Sequence, residues 1–83
     1  MGFTLLIEVE VVELLQTLSS SKRRKLMRHF RSIQGFPKEH SDYSQHDASG
    51  RVLEVSVFAG FAIIFWIDHA DRHVKILAIG PAD

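Results

Sequence analysis

One uninterrupted apolar run constrains the fold of this 83-residue chain more than any other feature. It covers residues 61–67, which read Phe-Ala-Ile-Ile-Phe-Trp-Ile. A strand that is apolar on both faces is typical of the middle of a sheet. The run is also far shorter than the roughly 20 apolar residues that a membrane-spanning helix needs. We therefore predict a soluble protein in which residues 61–68 form the central strand of a sheet.

Three further strands are predicted from short β-prone runs. Residues 51–58 alternate in polarity and place three apolar side chains on one face, namely Leu53, Val55 and Val57. Ala59-Gly60 follows as a tight turn, because glycine readily takes the positive φ that a two-residue hairpin needs. A last strand is expected at residues 73–79 and a first strand at residues 3–8.

Two amphipathic helices are predicted between the first strand and the others, at residues 9–18 and 21–34. The serines at positions 19–21 supply N-cap oxygens for the second helix, and Gly35 followed by Pro37 ends it. In that helix Leu26, Phe30 and Ile33 form one apolar stripe. We expect this stripe to pack between helix and sheet against Val55, Ile63 and Phe65.

The element order β-α-α-β-β-β predicts a single α+β domain over residues 1–83. The helical hairpin should pack on one face of a mainly antiparallel, four-stranded sheet. Residues 36–50 are predicted to form a long polar loop. The chain contains no cysteine, which excludes disulfides and thiolate metal ligands and favours a reducing compartment. We therefore expect a cytoplasmic protein that does not associate with membranes.

The positive charge is concentrated on the second helix, although the net charge is zero. Six of the ten basic residues fall at positions 22–31, which hold no acidic residue. The side opposite the apolar stripe collects Arg24, Lys25, Arg28 and Arg31. Clustered cations of this kind bind nucleic-acid phosphates, and they also suit a charged protein partner. A plain solvated helix face is the third interpretation.

Aromatic and histidine side chains have structural and functional interpretations. We predict that Phe61, Phe65 and Trp66 lie in the core, with an exposed partner-binding face as the alternative for Trp66. His29 is expected to be packed and half-buried. Imidazoles and carboxylates near the long loop and the last turn are competent zinc or manganese ligands. Their spacing matches no metal signature, so we predict no metal and no cofactor.

Over nearly its whole length, the chain resembles the RelE/ParE toxin superfamily of bacterial toxin–antitoxin pairs. The resemblance rests on Asp42-Tyr43, on Gly50-Arg51 and on two strands opened by Gly60-Phe61 and closed by a Val/Ile-rich segment, residues 74–80. In that family a strand and a helical hairpin precede a three-stranded meander, which is the order predicted for this chain.

The resemblance implies a toxin that a cognate antitoxin holds silent. RelE-like members cleave messenger RNA on the ribosome, whereas ParE-like members inhibit DNA gyrase. The implied partners are therefore an antitoxin together with either the ribosome and its messenger or gyrase. A homodimer is a further alternative. A member of the fold that has lost catalysis and serves as a binding or regulatory module is the competing hypothesis.

The sequence departs from the RNA-cleaving members in two places. Ala62 stands where they usually carry an arginine, and the chain ends Gly-Pro-Ala-Asp where they carry a basic residue. Metal-independent RNA cleavage needs a general base, a general acid and cations for the developing charge. The residues left to supply these groups are Arg51, Glu54, Tyr43 and His46. Their alternative interpretation is an ordinary cross-strand ion pair and a loop anchor.

Overall fold

The computed structural model describes residues 2–82, which fold into two helices and a five-stranded sheet. The elements follow in the order β1 (Thr4–Ile7), α1 (Val9–Gln16), α2 (Ser20–Gly35), β2 (Tyr43–His46), β3 (Val52–Phe58), β4 (Phe61–Asp68) and β5 (His73–Pro81). The strand order is β1-β5-β4-β3-β2, with β1 parallel to β5 and the other pairs antiparallel. The apolar strand β4 lies at the centre, as its sequence predicts.

The sheet has five strands rather than the predicted four. The additional strand, β2, lies within the segment predicted to be a loop, after a 3₁₀ turn at Pro37–His40. All four side chains of β2 are exposed, so its sequence lacks the alternation by which a half-buried strand is recognised. Backbone bonds to β3 hold it in place, from Asp42 N to Val55 O (2.7 Å) and from Asp47 N to Arg51 O (3.0 Å).

The hydrophobic core lies between the helices and one face of the sheet. Leu26, Phe30 and Ile33 of α2 are fully buried in one cluster with Ile63 and Phe65 of β4, which confirms the predicted helix stripe. The cluster also takes in residues from α1 and β5, namely Val11, Leu15, Val74 and Ile76. These side chains join the helical hairpin to the central strands.

The prediction that Val55 belongs to this core is wrong. Glu54 of β3 pairs with Phe65, and Val55 pairs with Ile64, so Val55 points away from the helices. Val55 is nevertheless only 1% exposed. The polar residues of β3 face the helices instead, and each finds a hydrogen-bond partner there.

The helix and turn signals in the sequence are confirmed with small shifts in boundaries. The Ser19 side chain accepts a hydrogen bond from Lys22 N at 3.2 Å and caps α2. Ala59 and Gly60 both have positive φ, 53° and 84°, and form the two-residue turn between β3 and β4. Among the described residues, no helix is long and apolar enough to span a membrane.

Candidate functional site

The face of the sheet opposite the helices is the open face of the molecule. It is formed by the side chains that alternate with the core residues along each strand. The register places on it Tyr43 of β2, Leu53, Val55 and Val57 of β3, Ala62, Ile64 and Trp66 of β4, and Lys75 of β5. This face is apolar along its middle and carries charged groups at one end.

Two cations contact the ring of Trp66 at the charged end of the open face. Arg51 Cζ lies 4.2 Å from the ring centroid, and Lys75 Nζ lies 4.9 Å from it. Lys75 occupies this place because it is the register partner of Trp66 across β4 and β5. Both distances fall within the roughly 6 Å over which a cation is attracted to an aromatic face. Arg51, Trp66 and Lys75 together form the cation–aromatic cluster.

Each cation of the cluster has a carboxylate nearby at long ion-pair distance. Arg51 Nε lies 3.8 Å from Asp47 Oδ2, and Lys75 Nζ lies 3.9 Å from Asp68 Oδ2. The two cationic side chains remain 44% and 32% exposed. An exposed pair of this length is weak, so an incoming phosphate can compete with Asp47 for Arg51. Asp68 is only 9% exposed and holds Lys75 in a partly buried pair, whose length of 3.9 Å still leaves the ammonium open to a second anion. The cluster can therefore bind an anion on the open face.

Asp47 also fixes the turn that positions Arg51. Its Oδ1 accepts hydrogen bonds from the Ser49 hydroxyl (2.7 Å), from Ser49 N (2.9 Å) and from Arg51 N (2.9 Å). These bonds, of which the one from the Ser49 side chain has the largest effect, hold the pKa of Asp47 below its ordinary value. Asp47 is consequently a stable carboxylate at neutral pH.

Glu54 lies on the other side of the sheet from Arg51 and cannot act with it. Its carboxylate accepts hydrogen bonds from the Ser41 hydroxyl (2.6 Å), the Ser44 hydroxyl (2.8 Å) and Lys38 Nζ (3.2 Å). Burial is the largest single influence on the pKa of Glu54 and raises it. The three hydrogen bonds and the Lys38 charge together outweigh burial, so the pKa of Glu54 lies below its ordinary value. Glu54 anchors the 3₁₀ turn and β2.

The four predicted catalytic residues do not converge on one site. Tyr43 is 53% exposed on the open face, where it pairs with Val55. His46 pairs with Val52 and points to the same side of the sheet as Glu54. The structure therefore separates Arg51 and Tyr43 on one face from Glu54 and His46 on the other. The role of these residues stays a prediction, but the four do not form one constellation in this fold.

The opposite end of the open face is an apolar hollow. A depression of about 370 Å³ is lined by Tyr43, Val57, Ala62, Pro81 and Ala82. Ala62 pairs with Gly80, and the lining includes no basic side chain. The phenol of Tyr43 and backbone groups are the polar components of this lining.

The basic face of α2 forms a second charged surface. Arg24, Lys25, Arg28 and Arg31 are all exposed, as predicted, and α2 contains no acidic residue. Arg31 Nη1 donates to Gln34 Oε1 at 3.1 Å. Arg23 serves the fold instead, because its Nη1 donates to the Leu15 and Leu18 carbonyls at the end of α1.

His29 is packed and half-buried beside this basic face, as expected. Its ring stacks on Phe58 with centroids 4.0 Å apart, and its Nε2 lies 2.8 Å from the Ser56 hydroxyl oxygen. Burial, and secondarily the neighbouring His40, lower the pKa of His29. The imidazole is thus a neutral structural group and adds no charge to the basic face.

Lys75 is a candidate binding residue that the sequence does not reveal. It lies in the last strand among apolar residues and gives no local signal. Only the pairing of β4 with β5 places its ammonium group beside Trp66. The alternative prediction for Trp66, a position on an exposed face, describes its surroundings better than the core assignment does.

This architecture is that of the RelE toxins. Three solved structures share it over nearly the whole chain. Archaeal RelE from Pyrococcus horikoshii OT3, in its complex with RelB, superposes with a TM-score of 0.80 and 21% identity, covering 98% of this chain and 96% of that one. A double arginine-to-alanine mutant of E. coli toxin RelE in the free state gives a TM-score of 0.72 with 12% identity.

The same E. coli mutant in complex with an antitoxin RelBc peptide gives a TM-score of 0.67 with 14% identity. Both E. coli matches cover 100% of this chain and 86% of theirs. No protein-family model and no curated protein sequence matches the chain. At these identities the comparisons confirm the predicted RelE-like fold, including the helical hairpin on one face of the sheet.

Proposed function

We propose that this chain is the toxin of a toxin–antitoxin pair and that a cognate antitoxin neutralises it. The observation that carries the proposal is a RelE fold over the whole described chain. The archaeal RelE structure is a complex with RelB, and the third match is a complex with an antitoxin peptide. A fold whose relatives are found with antitoxins supports the same kind of partner for this protein.

The exposed apolar side chains of the open face support a protein partner. Tyr43 and Val57 are 53% and 47% exposed and both line the hollow. Neighbouring exposed apolar groups of this kind mark interaction surfaces. We propose that an apolar segment of the antitoxin covers them, while acidic residues of the antitoxin meet the basic face of α2.

We propose that the free toxin acts on translation through RNA, rather than on DNA gyrase. The cation–aromatic cluster offers two cations and an aromatic ring on an accessible face, which are the groups that bind single-stranded nucleic acid. Its ion pairs are long enough for a phosphate to displace them. No feature of comparable specificity for gyrase is found among residues 2–82.

A non-cleaving binding module is the second candidate, and one observation favours it. Glu54 and His46 lie on the other side of the sheet from Arg51 and Tyr43. The carboxylates that remain beside the cluster, Asp47 and Asp68, are already engaged by backbone hydrogen bonds and by the two cations. The cluster can bind RNA without a paired base and acid to cleave it. We therefore expect inhibition of translation by occupancy, with little or no messenger cleavage.

The experiment is induced expression in a bacterial host, alone and together with the gene that neighbours this one. A toxin arrests growth when expressed alone, and the neighbouring antitoxin gene restores growth. Incorporation of labelled methionine distinguishes a block in translation from a block in DNA supercoiling. Harmless expression, together with no complex between this chain and any neighbour-encoded peptide, would contradict the proposal.

A further inference from the structure

The turn between β4 and β5 brings three metal-binding side chains together. Asp68 at the end of β4 and His73 at the start of β5 are register partners, and Asp71 lies between them in the turn. One donor atom from each side chain lies within 4.8 Å of the other two. We propose that Asp68, Asp71 and His73 form a zinc site, and this proposal does not rest on the proposed toxin function.

The backbone of the turn explains why these side chains meet. Arg72 has a φ of 58°, so the chain reverses direction immediately before His73. Asp71 N donates to Asp68 Oδ1 at 3.2 Å, which draws the turn over the end of β4. The cluster is therefore assembled by the fold before any metal arrives.

The chemistry of the three donor groups favours zinc over magnesium and calcium. One imidazole nitrogen and two carboxylates suit a borderline transition metal, whereas Mg²⁺ and Ca²⁺ prefer oxygen ligands alone. Zinc is commonly bound by three protein ligands with a fourth position left for water or another ligand. The three side chains supply that number.

His73 provides an independent indication that a ligand belongs in the turn. Its Nδ1 is buried and has no hydrogen-bond partner among the described residues. Buried polar nitrogens are usually satisfied, and an ion is one of the recognised partners when no protein group serves. We assign this nitrogen as the third zinc ligand, beside Asp68 and Asp71.

Lys75 is the group with which zinc must compete. Its ammonium lies 3.9 Å from Asp68 Oδ2 and 4.9 Å from the centroid of the Trp66 ring. Zinc would displace the ammonium from Asp68 and leave it beside the ring. Because the Lys75 charge competes with zinc for Asp68, a variant that lacks this charge should bind zinc more tightly, whereas variants of the ligands should bind it more weakly.

The experiment is titration of the folded protein with zinc chloride, by calorimetry and by thermal unfolding, with magnesium chloride as the comparison. We expect one zinc per chain and a melting temperature that rises with zinc but not with magnesium. His73→Gln and Asp71→Asn should each weaken zinc binding by about tenfold or more, and Lys75→Gln should tighten it. His69→Gln, an exposed change in the same turn, is the matched control and should retain wild-type affinity.

Three results would overturn the proposal. The first is the absence of zinc binding to the folded wild-type chain. The second is zinc binding that survives His73→Gln but is lost in His40→Gln. The ring centroids of His29 and His40 lie 5.5 Å apart, so these two imidazoles are the alternative zinc ligands. The third is an unchanged affinity in Asp71→Asn. That residue is exposed, so this variant decides the question even if His73→Gln does not fold.

Discussion

The guanidinium of Arg51 lies 4.2 Å from the centre of the Trp66 ring, and Lys75 approaches the same ring from the neighbouring strand. Arg51 precedes β3, Trp66 lies in β4 and Lys75 lies in β5, so three successive segments build the cation–aromatic cluster. The cluster therefore depends on the register of the whole meander. Arg51 is exposed and Lys75 is half-buried, so Arg51 is the cation whose proposed role in binding is more easily separated from its small contribution to stability.

Arg51→Ala is expected to weaken binding to single-stranded RNA by roughly tenfold, the loss of about 1.4 kcal/mol. The side chain is 44% exposed, so the free energy of unfolding should fall by only about 0.5–1 kcal/mol, the value of an exposed cation–π interaction. Fluorescence anisotropy with a labelled oligonucleotide measures the binding, and urea unfolding measures the stability.

Lys38→Ala is the matched control for this prediction. Lys38 is also an exposed cation beside the sheet, but it serves Glu54 on the helix-covered side. The Lys38→Ala variant should therefore bind RNA with unchanged affinity. Equal losses of affinity in Arg51→Ala and Lys38→Ala would show that binding reflects charge alone and not the cluster.

Phe30→Ala should destabilise the domain by about 3–5 kcal/mol, because it leaves a cavity in a fully buried cluster. A domain of this size has about 5–15 kcal/mol of stability, so the loss is a large fraction of the total. Val12→Ala, at a position that is 37% exposed, should change stability by no more than about 0.5 kcal/mol. An unchanged melting temperature in Phe30→Ala would contradict the assigned core.

The sequence predicts the parts of the fold that depend on apolar patterning. The run in β4 and the stripe of Leu26, Phe30 and Ile33 identify the central strand and the helix face without further information. The strand β2 has no such signal, because an exposed edge strand is held by backbone bonds that side chains do not reveal.

The distribution of the four predicted site residues over two faces could not be predicted, for a related reason. Alternation in β3 identifies two faces but not which of them the helices cover. An apolar face is normally assigned to the core, whereas in this fold Glu54 and Ser56 face the helices because Lys38, Ser41, Ser44 and His29 satisfy them. These partners come from distant segments, so the separation of Arg51 from Glu54 becomes visible only in the folded chain.

Glu54 should make stability depend on pH in the acid range. Its pKa in the folded protein lies below the ordinary value of 4.5, so its contribution is fully present above about pH 4.5. That contribution is lost as the pH falls through the folded pKa, because the unfolded chain binds the proton more readily. Glu54→Gln should cost about 1–3 kcal/mol at neutral pH and reduce the decline in stability on acidification.

Asp47 needs a separate variant, because its pKa is lowered as well. The Asp47→Asn variant measures how much of the loss of stability at acid pH comes from the turn between β2 and β3. Urea unfolding at neutral pH and again in the acid range measures both contributions. If the stability of Glu54→Gln falls on acidification as much as that of the wild type, the hydrogen bonds from Ser41, Ser44 and Lys38 do not favour the ionised form of the Glu54 carboxyl group.

Reversal of Arg24, Arg28 and Arg31 to Glu tests the basic face of α2. If this face binds nucleic acid, affinity should fall and its salt dependence should flatten, by about 0.7 in the logarithmic slope for each single-strand phosphate that is no longer neutralised. Glu10→Gln with Glu13→Gln, on the exposed side of α1, is the control. If the variant binds the antitoxin more weakly but binds RNA as the wild type does, the basic face binds the protein partner. If neither affinity changes, the basic face is a solvated surface.

The most direct test of the central claim is cell-free translation with purified protein. We expect the chain to inhibit protein synthesis, an equimolar amount of the neighbour-encoded antitoxin to restore it, and Arg51→Ala with Lys75→Ala to inhibit more weakly. Supercoiling by purified gyrase should be unaffected, and the messenger should remain intact. Full translation in the presence of excess folded protein, with no complex formed with the neighbour-encoded peptide, would contradict the proposal that this chain is an antitoxin-controlled toxin.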